Sequence, residues 1–424
     1  MIRGTTMTPS RLRAVVPLMS VALSLIPNLA SSQVTANGGA AGDWLARYSG
    51  ARSVGFGNAQ VALSNGPMNA MWNPAAVSRL FQNEVHVENT QLWESTRLLG
   101  FSFGVPAKRF PSLGFTMVSL SSGEFERTNE LNESMGTFEE ADMAFLVTAS
   151  KKVHPRMSVG TNLKLVRQSL EEFQTSGMGF DLGMMVDVTN TLRLGASVLN
   201  LGGPTLTFRT TDETFPSEVR GGLSLSILRG RGMISSEIDH RSGFGASFHV
   251  GSEVWVHPSF ALRAGYDNDE MAGGMSYQIR SGMRFDYGVA DQELGLTHRV
   301  GLSYRFGGFY AHSLAHPTVF SPTGTNSVTR INMTARTRSD AEKWTLEIVN
   351  DSKLVVRRFG GRGAPPAHIM WDGKDEAGLP LPDGTYTYNM VVVDAEGHSM
   401  NSDRHDVIIS TQGPQGRVPV VVEP

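Results

Sequence analysis

The chain has 424 residues, a formal net charge of −3 at pH 7, 46 glycines and no cysteine. That length accommodates two or three domains, and the near-neutral charge offers no bulk attraction for nucleic acid. Without cysteine there are no disulfides, thiolate metal sites or Cys-linked lipid anchors. An apolar fraction of 40% suits a soluble protein, but equally a membrane barrel, in which only alternate residues meet lipid.

Residues 1–32 read as an export signal. Arg3, Arg11 and Arg13 supply a basic region, residues 14–26 an apolar stretch too short to span a bilayer, and Ala30-Ser31-Ser32 a small-residue cleavage site. Residues 33–83 are expected to form an N-terminal plug. Trp44 lies in a short helical or irregular piece beside Asp43, and Gly50, Gly55 and Gly57 permit tight turns. Trp72-Asn73-Pro74 is a turn leading into a short helix, with Pro74 in the first-turn position.

Residues 84–310 alternate with period two. Leu99, Phe101, Phe103 and Val105 oppose Gly100, Ser102 and Gly104. Met178, Phe180 and Leu182 oppose Gly179, Asp181 and Gly183, and Val300, Leu302, Tyr304 and Phe306 oppose Arg299, Gly301, Ser303 and Arg305. Side chains alternate across a strand, so each segment has one apolar and one polar face. About fourteen such segments, most of about 8–12 residues, match what a tilted strand needs to cross a bilayer. A basic residue facing lipid costs about 2–4 kcal/mol at the midplane. Asp181, Arg193, Arg220, Arg263, Arg284 and Asp286 are therefore expected to line the lumen. Glycine and serine at other inward positions leave room for a plug. The expectation is an all-β chain: a transmembrane antiparallel β-barrel of about 14 strands with an N-terminal plug, followed by an Ig-like β-sandwich.

Residues 321–325 (Ser-Pro-Thr-Gly-Thr) read as a linker. Six or seven short strands over residues 320–411, punctuated by Gly, Asp and Pro turns, suggest the sandwich. Residues 412–424 read as a flexible tail.

Two resemblances rest on specific motifs. Gly50-Ala51-Arg52-Ser53-Val54-Gly55-Phe56-Gly57-Asn58-Ala59, followed by Ala70-Met71-Trp72-Asn73-Pro74-Ala75, resembles the N-terminal signature of the PorV/PorQ family, a branch of the FadL-type barrels. Phe56 and Ala76-Val77 depart mildly from that pattern. Trp371-Asp372-Gly373-Lys374-Asp375, Pro382-Asp383-Gly384-Thr385-Tyr386 and Asp394-Ala395-Glu396-Gly397 resemble the FlgD-type Ig-like domain. These resemblances imply fourteen strands, an N-terminal hatch and a Gram-negative outer-membrane location, and an even strand count would place the sandwich in the periplasm.

No motif for nucleophilic, metal-assisted or nucleotide chemistry is present, so no enzyme activity, cofactor or metal is expected. His249 shares a face with Ser247 and Glu253, yet reads better as part of a polar network in the lumen. Asp372, Asp375, Glu376 and Asp383 read as turn residues rather than calcium ligands. Three functions fit. The PorV/PorQ resemblance implies an adaptor in type IX-like protein secretion, with secreted cargo proteins or other secretion components as partners. Polar loops at residues 121–140 and 202–216 would receive them. A FadL-like channel would instead let the plug gate a hydrophobic small molecule through Trp44, Arg52, Gly55, Gly57, Trp72, Asn73 and Pro74. It would need an apolar pocket beside the plug and a lateral opening in the wall. The third reading is a membrane anchor whose sandwich docks periplasmic partners. In all three, outer-membrane lipid surrounds the barrel.

Overall fold

The computed structural model describes residues 42, 44–45 and 50–411, apart from 93–95, 130, 171–172, 209–210, 269, 280–281, 293–294, 325–326 and 403. The expected signal segment, Asp43 and the expected tail lie outside the described residues. No described helix is long and apolar enough to cross a membrane.

Fourteen antiparallel strands among the described residues close into a barrel. The first seven are β1 (Asn83–Gln91), β2 (Arg97–Val105), β3 (Ser112–Thr128), β4 (Ser134–His154), β5 (Met157–Leu170), β6 (Phe173–Asp187) and β7 (Leu192–Leu201). A small hairpin follows, β8 (Thr205–Phe208) with β9 (Thr211–Thr214). The barrel resumes with β10 (Glu218–Ile227), β11 (Gly232–Arg241), β12 (Gly245–His257), β13 (Phe260–Asp267), β14 (Glu270–Gln278), β15 (Met283–Gln292) and β16 (Gly295–Phe306). It closes between β1 and β16, where Asn83 pairs with Phe306 and Gln91 with His298.

The alternation resolves as the membrane reading requires. Leu182 and Val300 are each 51% exposed, whereas their neighbours Asp181 and Arg299 are 0% and 1% exposed. A water-soluble sandwich would show the reverse. Charged side chains buried beneath an apolar outer surface identify the outer solvent as hydrocarbon. Phe103, Tyr304 and Phe306 form a stacked outer cluster near one rim, with ring separations of 5.6 and 6.5 Å, as an interfacial aromatic belt does.

Three segments differ from expectation. Residues 121–140 are a continuation of the β3–β4 hairpin beyond the barrel, with Phe125 paired to Phe138 and Thr128 to Ser134, rather than an irregular loop. Residues 202–216 hold the β8–β9 hairpin, which turns back over the mouth. The inward Gly177 and Gly179 of β6 admit its Thr205 and Pro204 at distances a Cβ would not allow.

The third concerns the sandwich. It begins at β17 (Tyr310–His316), immediately after the barrel, so residues 321–324 lie within it and do not link it to the barrel. Its other strands are β18 (Val319–Phe320), β19 (Thr329–Arg336), β20 (Ala341–Val349), β21 (Val355–Arg362), β22 (His368–Trp371), β23 (Gly384–Asp394), β24 (Ser399–Asn401) and β25 (His405–Ile409). One sheet orders β17-β19-β22 and the other β18-β25-β23-β20-β21, with β24 on β23. Trp371, at 0% exposure, is the centre of the core, edge-on to Phe320 and Tyr386. The backbone N–H of Ala315 donates to the buried Tyr388 hydroxyl at 2.7 Å and ties β17 to the opposite sheet.

Candidate functional site

The bore is filled by residues 50–80, which run from the middle of the lumen to the rim nearest the sandwich and are buried over nearly their whole length. They form α1 (Ala51–Gly55) and two 3-10 turns, Pro67–Met71 and Pro74–Arg79. Helical hydrogen bonds cannot satisfy so irregular a chain, so the barrel wall must do so.

Inward glycines allow the plug backbone to lie directly on the strands. A Cβ on Gly265 would fall 2.1 Å from Gly57 N, one on Gly251 2.2 Å from Phe56 O, and one on Gly288 2.3 Å from Ala51 O. Gly57, with φ +56°, sits in the turn after α1, as expected, whereas Gly50, with φ +97°, is the residue that caps the start of α1. Gly55 is not in a turn: it lies in α1, and its bareness instead admits the Arg263 side chain. Asn73 caps the second 3-10 turn through Ala75 N at 3.0 Å. It also donates to Val61 O at 2.8 Å and, across to the wall, Met184 O at 3.1 Å. Pro74 occupies the first-turn position and rests on Gly160. Trp72 is buried, and its carbonyl accepts from Ser197 Oγ at 2.7 Å. Trp44 is partly buried against the apolar cluster that holds Leu45, Met71, Trp72 and Phe215.

Charges lock the plug sideways. Arg52 forms a two-point pair with Glu253 at 2.8 and 2.9 Å. Glu253 meets Arg263 at 2.7 Å, Arg263 meets Asp286 at 3.0 Å, Asp286 meets Arg284 at 2.8 Å, and Arg284 meets Glu84 at 3.3 Å. Glu84 ends the series on Arg305 at 3.0 Å. On another wall Glu237 accepts from the backbone of Gln60 and Val61, both at 2.7 Å, and pairs with Arg220 at 2.7 Å. Lys164 lies 3.0 Å from Asp181, and Asn162 joins Asp181 to the plug carbonyl of Ala70. Near the sandwich-side rim Asp187 bridges Arg79 of the plug at 2.6 Å and Arg193 at 2.8 Å. All six charges expected in the lumen therefore face inward. All six join ion pairs within the wall, and Arg193 also reaches the plug directly, at Ser64 Oγ, 3.0 Å away. His249 lies between Asp239 and Asp267, a polar network with no serine partner. Asp375 accepts the backbone N–H groups of Ala377 and Leu379 in its own turn, whereas Asp383 accepts that of Thr411, 28 residues on.

The far half of the lumen was not anticipated. There the inward positions of β2 to β5 carry Leu98, Val118, Ala144, Leu146 and Val166, all at most 1% exposed, against Met68, Met71 and Trp72 of the plug. Asp142 lies at the edge of this surface. Leu206 and Phe215 cover it from the hairpin loop. Under that cover is a narrow cleft of about 20 Å³, lined by Leu45, Met71, Leu146, Leu199 and Phe215 on one side and by Lys164, Asn200, Glu218 and Arg241 on the other. Beside it the ladder slips: Phe180 pairs with Leu201 but Leu182 with Val198, and Asn200 N–H donates to the Asp181 carboxylate instead of the neighbouring strand. A sequence signal for this surface does exist. Alternation fails at Leu98-Leu99, Phe145-Leu146-Val147 and Leu165-Val166, where both faces are apolar.

Residues 321–396 match the FlgD Ig-like domain family. No curated protein matches the chain. Among solved structures, the chain is similar to the CymD monoaromatic hydrocarbon channel (12% identity, TM-score 0.46, 61% of this chain and 97% of that one). It is also similar to the Pseudomonas putida toluene transporter TodX (12%, 0.45, 60% and 96%) and to a Pseudomonas aeruginosa FadL homologue (11%, 0.44, 61% and 99%).

Proposed function

We propose that this barrel is a non-enzymatic, plug-gated conduit of the outer membrane for small hydrophobic molecules, with its sandwich in the periplasm. The observation that carries the reading is the apolar inner wall of β2 to β5. Its five buried aliphatic residues pack against Met68, Met71 and Trp72 of the plug, so the plug slides on an apolar face there, and Leu146 also lines the covered cleft. A ligand site is concave and edged by polar groups; the cleft between Leu146, Met71 and Phe215 is narrow and about half polar, so under this reading a ligand enters as the β8–β9 cover moves aside. The slipped ladder beside Leu199 and Asn200 is the weakest line in the adjoining wall, and under this reading it is where a lipid-soluble molecule leaves sideways.

The test is a fluorescence titration of the purified protein with N-phenyl-1-naphthylamine. Saturable binding is expected, lost in Leu146→Arg and weakened in the milder Val118→Ser, with barrel folding checked by heat-dependent gel migration. Wild-type protein that binds no probe saturably, or variants that bind it equally well, would refute the reading.

One observation favours a second reading, that of a secretion adaptor of the PorV/PorQ kind. The β3–β4 hairpin projects past the rim with Leu131 and Met135 79% and 60% exposed at its tip, a surface suited to receiving another protein. Gentle extraction followed by native mass spectrometry separates the two: a bound exported protein supports the adaptor, and a bound apolar molecule supports the conduit.

A further inference from the structure

The plug leaves the barrel at Arg79, Leu80 and Phe81, and the sandwich meets it there. Phe309 N–H donates to Phe81 O at 2.7 Å, so the first residues after the barrel are bonded to the last residues of the plug. The Arg338 guanidinium lies over the Phe81 ring at 5.6 Å and the Phe309 ring at 5.9 Å, and His398 stands edge-on to Phe81 at 5.4 Å. Glu396 pairs with Lys152 of β4 at 2.8 Å, and the Lys152 ammonium lies 3.1 Å from His398 Nε2. Outside this contact Lys108 reaches the exposed Asp340 at 2.9 Å.

The turn making these contacts is built for position. Asp394, at 0% exposure, accepts the backbone N–H groups of Glu396 and His398 at 3.1 and 2.9 Å and of Ser339 at 3.2 Å. Gly397 takes the left-handed conformation that the turn requires, with φ +84°. The acidic turn that resembles the FlgD-type domain thus holds Glu396 and His398 against the base of the barrel, with Arg338 fixed beside them.

We infer that the sandwich is a latch on the plug: Arg338, Glu396 and His398 clamp Phe81 and, through it, Arg79, so displacing the sandwich frees the plug. The consequence for transport rests on the conduit reading, but the latch itself does not. Arg79 connects the clamp to the interior, because it is bonded to Asp187, which holds Arg193, which in turn holds Ser64 in the plug. A partner that binds the sandwich and pulls it from the rim would open this series from its outer end. Coupling of this kind needs an element with two positions and differential contacts in each; the docked position is the one described above, and the latch requires a second in which the sandwich has left Phe81.

The chain's lack of cysteine makes the test direct. Ser64→Cys places one thiol on the half-buried plug position that Arg193 holds. In membranes at fixed pH, its maleimide labelling rate reports plug release with no permeant present, so failure of the conduit reading leaves the result intact. Lys152→Glu and Glu396→Lys should each raise the rate at least about tenfold, because each sets two like charges together at a largely buried pair. The double reversal, Lys152→Glu with Glu396→Lys, should bring it back. If either single reversal fails to insert, Arg338→Lys keeps the charge but loses the flat contact with both rings, and should raise the rate in the same sense. Unchanged labelling in folded single variants, or no recovery in the double, would overturn the latch.

Discussion

Asn73 holds the plug in register, because its carboxamide is shared between three backbones. It caps its own 3-10 turn, bonds Val61 within the plug and reaches Met184 in the wall, at 0% exposure. Asn73→Ala would orphan buried carbonyls on both sides, at a cost of about 1–3 kcal/mol. The expected outcome is a barrel that still migrates as folded on a gel but unfolds at lower temperature. Gly160 makes a complementary case. A Cβ there would stand 2.5 Å from the Pro74 backbone, which cannot retreat. Gly160→Ala should therefore unseat the second 3-10 turn while leaving the β4–β5–β6 ladder intact, seen as faster hydrogen exchange in residues 75–79 alone. Asn73 and Pro74 could be picked from the sequence because a capping residue before proline is a local signal. Gly160 and Gly265 could not, since an inward glycine has the same spelling whether it faces water or a plug.

At the scale of elements, the charges in β12 to β16 form one unit. Arg263 touches Glu253 and Asp286 and is 5% exposed, so removing it leaves two buried carboxylates short of a partner. Breaking a buried pair from one side costs about 3–5 kcal/mol, whereas replacing all partners with apolar groups is often neutral. Arg263→Met should thus lower the unfolding temperature sharply, and Arg263→Met with Glu253→Gln and Asp286→Asn should recover part of the loss. A triple variant no better than the single would mean that the series acts through packing alone. The inward direction of these residues was legible because period-two alternation and the cost of charge in lipid leave one solution. Their pairing was not, since partners lie up to 221 residues apart, as Glu84 and Arg305 do. The β3–β4 extension was hidden for another reason: Glu124, Glu126, Glu139 and Glu140 lie on strands beyond the membrane, where lipid no longer imposes an apolar face. β17 was obscured because its buried face consists of Ala311, Ser313 and Ala315, too small to register as apolar.

Across the whole molecule the lumen is divided along its length: apolar under the β8–β9 cover at one end, charged around the plug, and clamped by the sandwich at the other. The clamp carries its own pH dependence. His398 is held below its ordinary value near 6.5, first by burial, then by the Lys152 ammonium, against the opposing pull of Asp394; Arg338 also disfavours its charge. Glu396 lies 3.6 Å from its Nδ1. A free sandwich, with His398 in water, therefore takes up a proton more readily than a docked one. By linkage the docked state is at full strength above the ordinary histidine value and weakens as pH falls below it, because protonation sets an imidazolium against Lys152. Asp394, held below the usual carboxylate range, acts in a separate window: its contribution is lost only as pH falls beneath about 4. A nitroxide attached at Ser64→Cys separates these effects from thiol chemistry, because labelling is finished before the pH is changed. Its mobility should rise between about pH 7.5 and 5.5. His398→Gln loses the ring contact with Phe81, so it should raise the mobility at about pH 7.5 and flatten the response to pH. Equal pH responses in parent and variant would assign the sensitivity to another group and remove His398 from the clamp.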